Sequence, residues 1–288
     1  MQNNFYNILI PIDFTVKNKW AITKAIELAN SFNCNIHLVH VVFKPVFPLI
    51  NIDASNFTPY ASHINMQTCR EKLAELKAIY KKQMVGEGEI EISLLQGHPQ
   101  KQLKQYIENY KMDLVVMGLA KFNLFDRIIS SISISLLAKK ISVPILAIRS
   151  SGLVSHFKKI VLPLHDDIPV DRVKLATTLA RSFKSTVYLV SLRNNSNEKN
   201  VLDKTLELVQ SVSTIPVQCF LLEGQNLAKS TLDFSRRINA DLILGQSRKE
   251  FQLPGLWNRI TKRIMAYASK IPVLTLDKPT EQNESVAG

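Results

Sequence analysis

Four stretches of the sequence recur in the same order in its second half. "NILIPIDF" (7–14) returns as "KIVLPLHD" (159–166), and "IELANSFNCNIHLVHV" (26–41) as "TTLARSFKSTVYLVSL" (177–192). "LLQGHPQKQL" (94–103) returns as "LLEGQNLAKS" (221–230), and "ISVPILAI" (141–148) as "SKIPVLTL" (269–276). A repeat of this length is a whole folding unit rather than a short solenoid motif. The chain is therefore expected to hold two copies of one domain, 1–150 and 151–288, with the boundary near 150–156.

Each copy reads as strands alternating with helices, beginning and ending on a strand. The strands are short and rich in Val, Ile and Leu, the pattern of a parallel sheet covered on both faces. Between them the apolar residues take helical spacing: Cys69, Leu73, Leu76 and Tyr80 share one face of a segment otherwise rich in Lys and Glu. Alternation of this kind predicts an α/β fold, two tandem open five-stranded parallel sheets of Rossmann-like type with right-handed crossovers. Ligands of such sheets sit beyond the carboxyl ends of the strands. Two matching phrases, "DLVVMGLAK" (113–121) and "DLILGQSRK" (241–249), bring Gly118 and Gly245 to such ends, where each is expected to make the turn that closes its strand. The copies differ after their second strand, where residues 44–67 form an insertion with no counterpart. Its length and its aromatics predict packing over the crevice of the first domain or over the domain junction. The tail, 278–288, is expected to be disordered.

Composition excludes several classes. The longest apolar runs are far too short to span a bilayer, and the opening residues do not read as a secretory leader. Three unpaired cysteines, Cys34, Cys69 and Cys219, fit a reducing, cytoplasmic setting. The net charge of +12 raises the question of nucleic acid. However, residues 1–150 carry 17 Lys+Arg against 11 Asp+Glu, and 151–288 carry 19 against 13. The charge is spread evenly, without a basic tract or interleaved aromatics, so neither membrane nor nucleic acid is an expected partner. His37 and His40 lie three apart on a strand and point to opposite faces, which argues against a shared metal. No C-x-x-C, H-E-x-x-H, G-x-S-x-G or Walker-type loop is present.

Taken together, "ILIPID", "DLVVMG", "DLILG", "SVPILAI" and "KIPVLTL" resemble the universal stress protein family in its tandem, two-domain form, over about residues 7–276. The resemblance implies pairing through the last strand of each domain, here an internal pseudo-dimer in which 143–148 meets 272–276. A homodimer of the whole chain stays open. Some members of the family bind ATP through an Asp at the end of the first strand and a G-x2-G-x9-G-[S/T] loop after the fourth. Such glycines let backbone N–H groups approach phosphates at a helix N-terminus.

Carried over residue by residue, the first domain offers Asp13, Val41, Gly118, Lys121, Ser130 and Ser131 for ATP or a related nucleotide. Lys121 stands where the second glycine belongs, and Ser130 or Ser131 where the third does. The second domain offers His165, Gly245, Arg248 and Asn258, with His165 in place of the Asp. The basic stretch 248–263 there is read as a solvated face, with a seat for a different anion as the alternative. Neither copy keeps the full glycine cradle, so the expected function is a non-catalytic stress-response binding or signalling module with an eroded nucleotide site. The alternative is a hydrolase or transferase of the adenine-nucleotide α/β group using Asp13 and Lys121.

Overall fold

The computed structural model describes residues 5–42, 66–119, 137, 141–149, 156–165, 167–193, 196–245 and 270–276. In the first half the order is β1 (Asn7–Ile12), α1 (Val16–Phe32), β2 (Asn35–Val42), α2 (Met66–Lys81), β3 (Ile90–Gln96), α3 (Pro99–Asn109), β4 (Leu114–Gly118) and β5 (Ile145–Ile148). The second half repeats it: β6 (Lys159–Pro163), α4 (Val170–Phe183), β7 (Thr186–Leu192), α5 (Ser196–Val212), β8 (Val217–Leu222), α6 (Leu227–Arg237), β9 (Leu242–Gly245) and β10 (Val273–Thr275). The helix expected between the fourth and fifth strands of each copy lies outside the described residues, apart from helical Leu137 in the first. The insertion expected over 44–67 ends two residues sooner, because Met66 and Gln67 already belong to α2. Its other residues, and the tail, fall outside the description.

All ten strands form one sheet in the order β3-β2-β1-β4-β5-β10-β9-β6-β7-β8. Within each half the pairs are parallel, as βαβ crossovers require. Among the described residues the one antiparallel pair is central: Ile145 opposes Thr275, Leu146 opposes Leu274 and Ala147 opposes Val273. These are the last strands of the two halves. Each covers an edge whose backbone N–H and C=O groups would otherwise be left unpaired. Read outward from this pair, the strand order is the same on both sides.

The helix that follows the first strand of each half lies on one face of the sheet, and there the core is continuous across the junction. It runs from Ile8, Leu28 and Leu146 through Phe157 and Leu179 to Leu274. Phe32 and Phe183, the last residues of α1 and α4, meet edge to face with ring centroids 5.8 Å apart. Lys24 of α1 is 1% exposed. Its ammonium sits 4.6 Å above the Phe157 ring and 2.6 Å from the Glu27 carboxylate, which keeps so deep a cation paired. The opposite face carries separate clusters, one around Val39, Leu103 and Val115, the other around Val190, Leu232 and Ile243.

The repeat extends to individual bonds. Asp113 and Asp241 immediately precede β4 and β9, and their carboxylates accept from the backbone at the start of β1 and β6. Asp113 takes the N–H of Tyr6 and Asn7 at 2.8 and 2.9 Å, and Asp241 takes that of Lys159 at 2.9 Å. Cys34 donates its thiol to the Phe5 carbonyl at 2.9 Å, and Ser185 donates its hydroxyl to the carbonyl of Phe157. Gly97 and Gly224, matched in the repeat, have φ of 130° and 128°, and glycine reaches that region at no steric cost.

Candidate functional site

The carboxyl ends of β2, β1 and β4 lie side by side. Ile12 pairs with His40, so Asp13 and Val41 are the next residues outward on adjacent strands. Leu9 pairs with Val115, and carrying that register outward sets Gly118 level with Ile12. Three of the six residues read from the sequence for the first domain, Asp13, Val41 and Gly118, therefore share one lip. Lys121, Ser130 and Ser131 lie outside the described residues, as do Arg248 and Asn258 of the second half.

The Asp13 carboxylate is exposed at this lip. One of its oxygens, Oδ1, accepts from the Thr15 N–H at 3.0 Å and the Thr15 hydroxyl at 2.6 Å, an Asx turn that folds the loop back on itself. Phe14 sits between them with φ of 57°, a left-handed conformation rare for a bulky side chain. Its ring lies 4.6 Å from the His40 ring, with the Lys72 ammonium 5.6 Å away over the Phe14 ring. Asn18, 6% exposed, ties the loop to α1. Its Nδ2 donates to the Pro11 carbonyl at 3.2 Å and its Oδ1 accepts the Asp13 N–H at 3.1 Å. His40 Nδ1 is 2.7 Å from the Ile12 carbonyl. Burial lowers the His40 pKa, and the Ile12 hydrogen bond and the Asp13 charge oppose that shift in part. Val41 turns its side chain away, into the α3-side cluster, and leaves only backbone at the lip.

Gly118 and Gly245, matched by phrase, are not matched in space. Both are the last residues of their strands and neither has a left-handed φ; the turns expected after them lie outside the described residues. A Cβ on Gly118 would fall 2.1 Å from the Lys17 carbonyl oxygen and 2.7 Å from its carbon. Glycine is there because the first turn of α1 packs directly on β4. Gly245 has room for a side chain, with Thr275 Cγ2 and Val273 Cγ1 both at 3.6 Å. The reason is parity. "DLILG" is one residue shorter than "DLVVMG", so Gly245 falls level with Pro163, the counterpart of Pro11 rather than of Ile12. Successive strand residues face opposite sides of the sheet. Gly118 therefore faces α1, and Gly245 faces the cluster of the opposite layer, which includes Val273.

The second lip keeps the scaffold and changes the groups. Arg172, 6% exposed, donates to the Pro163 carbonyl at 2.8 Å, where Asn18 serves Pro11. Ser191 donates to the Leu164 carbonyl at 3.3 Å, where His40 serves Ile12. Half-buried His165 stands in the position of Asp13. Asp166 is outside the description.

The remaining sequence candidates separate cleanly. His37 and His40 do face opposite sides. His37, 4% exposed, has Nδ1 3.0 Å from the Tyr106 hydroxyl, itself 2.9 Å from Ser93 Oγ. Burial pushes the Cys34 thiol up to about 12, with the Asp113 charge adding to it, so it is no nucleophile at neutral pH. Among the described residues no group of His, Cys, Asp and Glu could hold a metal ion, and no helix is long and apolar enough to cross a membrane. Sequence reasoning missed Phe14, Thr15, Asn18 and His40 as residues of the lip. The Asp-x-Thr spacing of an Asx turn was the one signal that could have found any of them.

Two copies of a parallel α/β sheet with crossover helices, joined through their last strands, define the fold class. The description "Universal stress protein family" belongs to the family model that matches residues 4–149. The chain belongs to the universal stress protein family. It is 24% identical over 148 residues to a universal stress protein of Methanocaldococcus jannaschii, covering 51% of this chain and 84% of the relative. A universal stress protein of Archaeoglobus fulgidus shares the fold at a TM-score of 0.71 and 18% identity, covering 96% of this chain and 99% of that one. A protein of unknown function from Pseudomonas aeruginosa does so at a TM-score of 0.60 and 13% identity, covering 95% and 92%.

Proposed function

We propose that the protein is a non-catalytic, cytoplasmic binding module of the stress response, with a single nucleotide-type site at the first lip. The observation that carries this is the asymmetry of the two lips. Asp13 is exposed, and among the described residues its Oδ2 accepts no hydrogen bond. In the second half an imidazole takes its place, and the glycine stops one residue short, on the other face. A carboxylate beside open strand ends can read the hydrogen-bond donors of a base or ribose. An imidazole offers one acceptor at most and loses it on protonation.

In this reading Lys121, Ser130 and Ser131 supply a phosphate end weaker than a glycine cradle, since side chains block the approach of backbone N–H groups. Binding is expected to be modest and confined to one site per chain. Mass spectrometry of small molecules released from the purified full chain, repeated on Asp13→Ala, tests it. Wild type should release an unhydrolysed nucleotide and Asp13→Ala none. Steady turnover of added ATP would instead support the hydrolase alternative, and retention by both proteins would remove Asp13 from the site.

A further inference from the structure

We infer that β8, the outer strand of the second half, is a docking edge for β8 of a second copy of this chain, the two strands pairing antiparallel about Cys219. The last strands, β5 and β10, are already paired inside one chain, so a homodimer must use another surface.

Among the described residues the sheet ends on β3 and β8, and the two edges are not alike. β3 carries exposed Glu91, and Glu87 and Glu89 lead into it. Charge of this kind blunts an edge against pairing. From Leu208 to Leu222 the sequence has no charged residue. Gln218, Cys219 and Phe220 are exposed in the middle of β8. The Phe220 ring stands beside Phe234 and Tyr188, with centroids 4.9 and 6.2 Å away. An uncharged six-residue edge with an exposed aromatic is a template for another strand.

The ladder fixes which backbone groups are open. The Val187 N–H donates to the Pro216 carbonyl and the Arg193 N–H to the Leu222 carbonyl, at the two ends of the β7–β8 pair. In a parallel ladder alternate residues bond the same neighbour, so Gln218, Phe220 and Leu222 turn their N–H and C=O groups toward β7. Val217, Cys219 and Leu221 turn theirs outward, where nothing among the described residues meets them. Only an extended backbone can meet such a set, and a second β8 meets all of it. With a two-fold axis at Cys219, that residue pairs with its own copy and Val217 pairs with the partner's Leu221. Moving the axis by one residue leaves Val217 or Leu221 facing the end of the other strand. An axis normal to the sheet also keeps each helical layer on its own side. The chain already joins two uncharged strands in this antiparallel way, at β5 and β10. Joining one short strand per copy falls in the small interface class, below roughly 1,200 Å², so the dimer is weak. Each copy carries +12, so association runs against repulsion that salt screens.

Sedimentation equilibrium of the full chain over a range of concentrations tests this, together with amide hydrogen exchange read by NMR at low and high concentration. Wild type should pass from monomer to dimer, more readily at high salt than at low. Cys219→Lys sets two ammonium groups opposite each other at the axis and should weaken the dimer by about tenfold or more. Position 219 is exposed, so this variant should unfold thermally like wild type. Cys219→Ser should dimerise as wild type does, because the pairing is made by backbone. Exchange in wild type supplies a readout independent of any variant. On dimerisation the Val217, Cys219 and Leu221 amides should slow, while those of Gln218 and Phe220, bonded to β7 in either state, should not change. A chain that stays monomeric at every concentration and salt, a dimer indifferent to Cys219→Lys, or a dimer whose Cys219 amide exchanges as fast as in the monomer would each overturn the inference.

Discussion

Gly118→Ala is a substitution of one methyl whose cost can be worked from the structure. The new Cβ would lie 2.1 Å from the Lys17 carbonyl oxygen, 2.7 Å from its carbon and 2.9 Å from Lys17 Cβ. Even a close C–H···O contact keeps carbon and oxygen about 3.3 Å apart, so the first turn of α1 must retreat by more than about 1 Å. The obstacle is backbone inside a hydrogen-bonded helix, so no rotamer change relieves it. Overpacking of this kind typically costs about 1–3 kcal/mol. Reduced freedom of the unfolded chain returns ~0.4–1 kcal/mol, because this φ is open to alanine. We expect a net loss of about 2 kcal/mol and a fall in Tm of roughly 4–8 °C.

Gly245→Ala is the internal control. Its Cβ meets only ordinary contacts at 3.6–3.9 Å, so the change should be within about 0.5 kcal/mol of neutral or slightly stabilising. Urea and thermal unfolding of the three proteins side by side give the answer. A Gly118→Ala protein as stable as wild type, or a Gly245→Ala protein that is the weaker of the two, would refute the parity argument.

Other outcomes follow from the same geometry. Asn18→Ala should lose about 1–3 kcal/mol, since it strands the Pro11 carbonyl and the Asp13 N–H at a buried position, and urea unfolding measures it. Phe32→Ala should cost about 3–5 kcal/mol and lower hydrogen-exchange protection in β6 as well as β1, because the core under it is continuous; unaffected β6 amides would contradict this. At pH 8 an alkylating reagent should label exposed Cys219 and spare Cys34 until the chain is unfolded. His37 and His40 have pKa values lowered chiefly by burial, so their contribution is present above the unfolded value near 6.5 and is lost as pH falls through their folded values. Glu27 works oppositely. Burial raises it, so its contribution is present below 4.5 and is lost as pH rises through its folded value. Tm should therefore drop on acidification from neutrality, and His37→Gln/His40→Gln should flatten that drop.

The fold was legible because repetition and alternation are coarse signals. Four matched blocks sufficed for a tandem reading, and β-branched runs between helical spacings sufficed for parallel sheets. The Cys69, Leu73 and Tyr80 face of α2 is buried as its spacing predicts. Boundaries were less legible, since Met66 and Gln67 read as insertion but complete a helix. Deeper failures came where one residue changes a direction. The glycines of "DLVVMG" and "DLILG" looked equivalent by phrase, yet a single missing residue turns one to the opposite face of the sheet. Phe14 itself carries no sign of a left-handed backbone; it lies inside the Asx turn of Asp13 with Thr15 and packs against His40 and Lys72. His40 was weighed only as a metal ligand. Its bond to a main-chain carbonyl on the neighbouring strand is visible only once the register is known.

The central claim is that one lip binds and the other does not. Titration of the full chain with ATP by calorimetry, for wild type, Asp13→Ala and His165→Ala, tests it most directly. The account predicts one site per chain, lost in Asp13→Ala and unchanged in His165→Ala. Two sites per chain, or a single site that survives Asp13→Ala and disappears with His165→Ala, would contradict it.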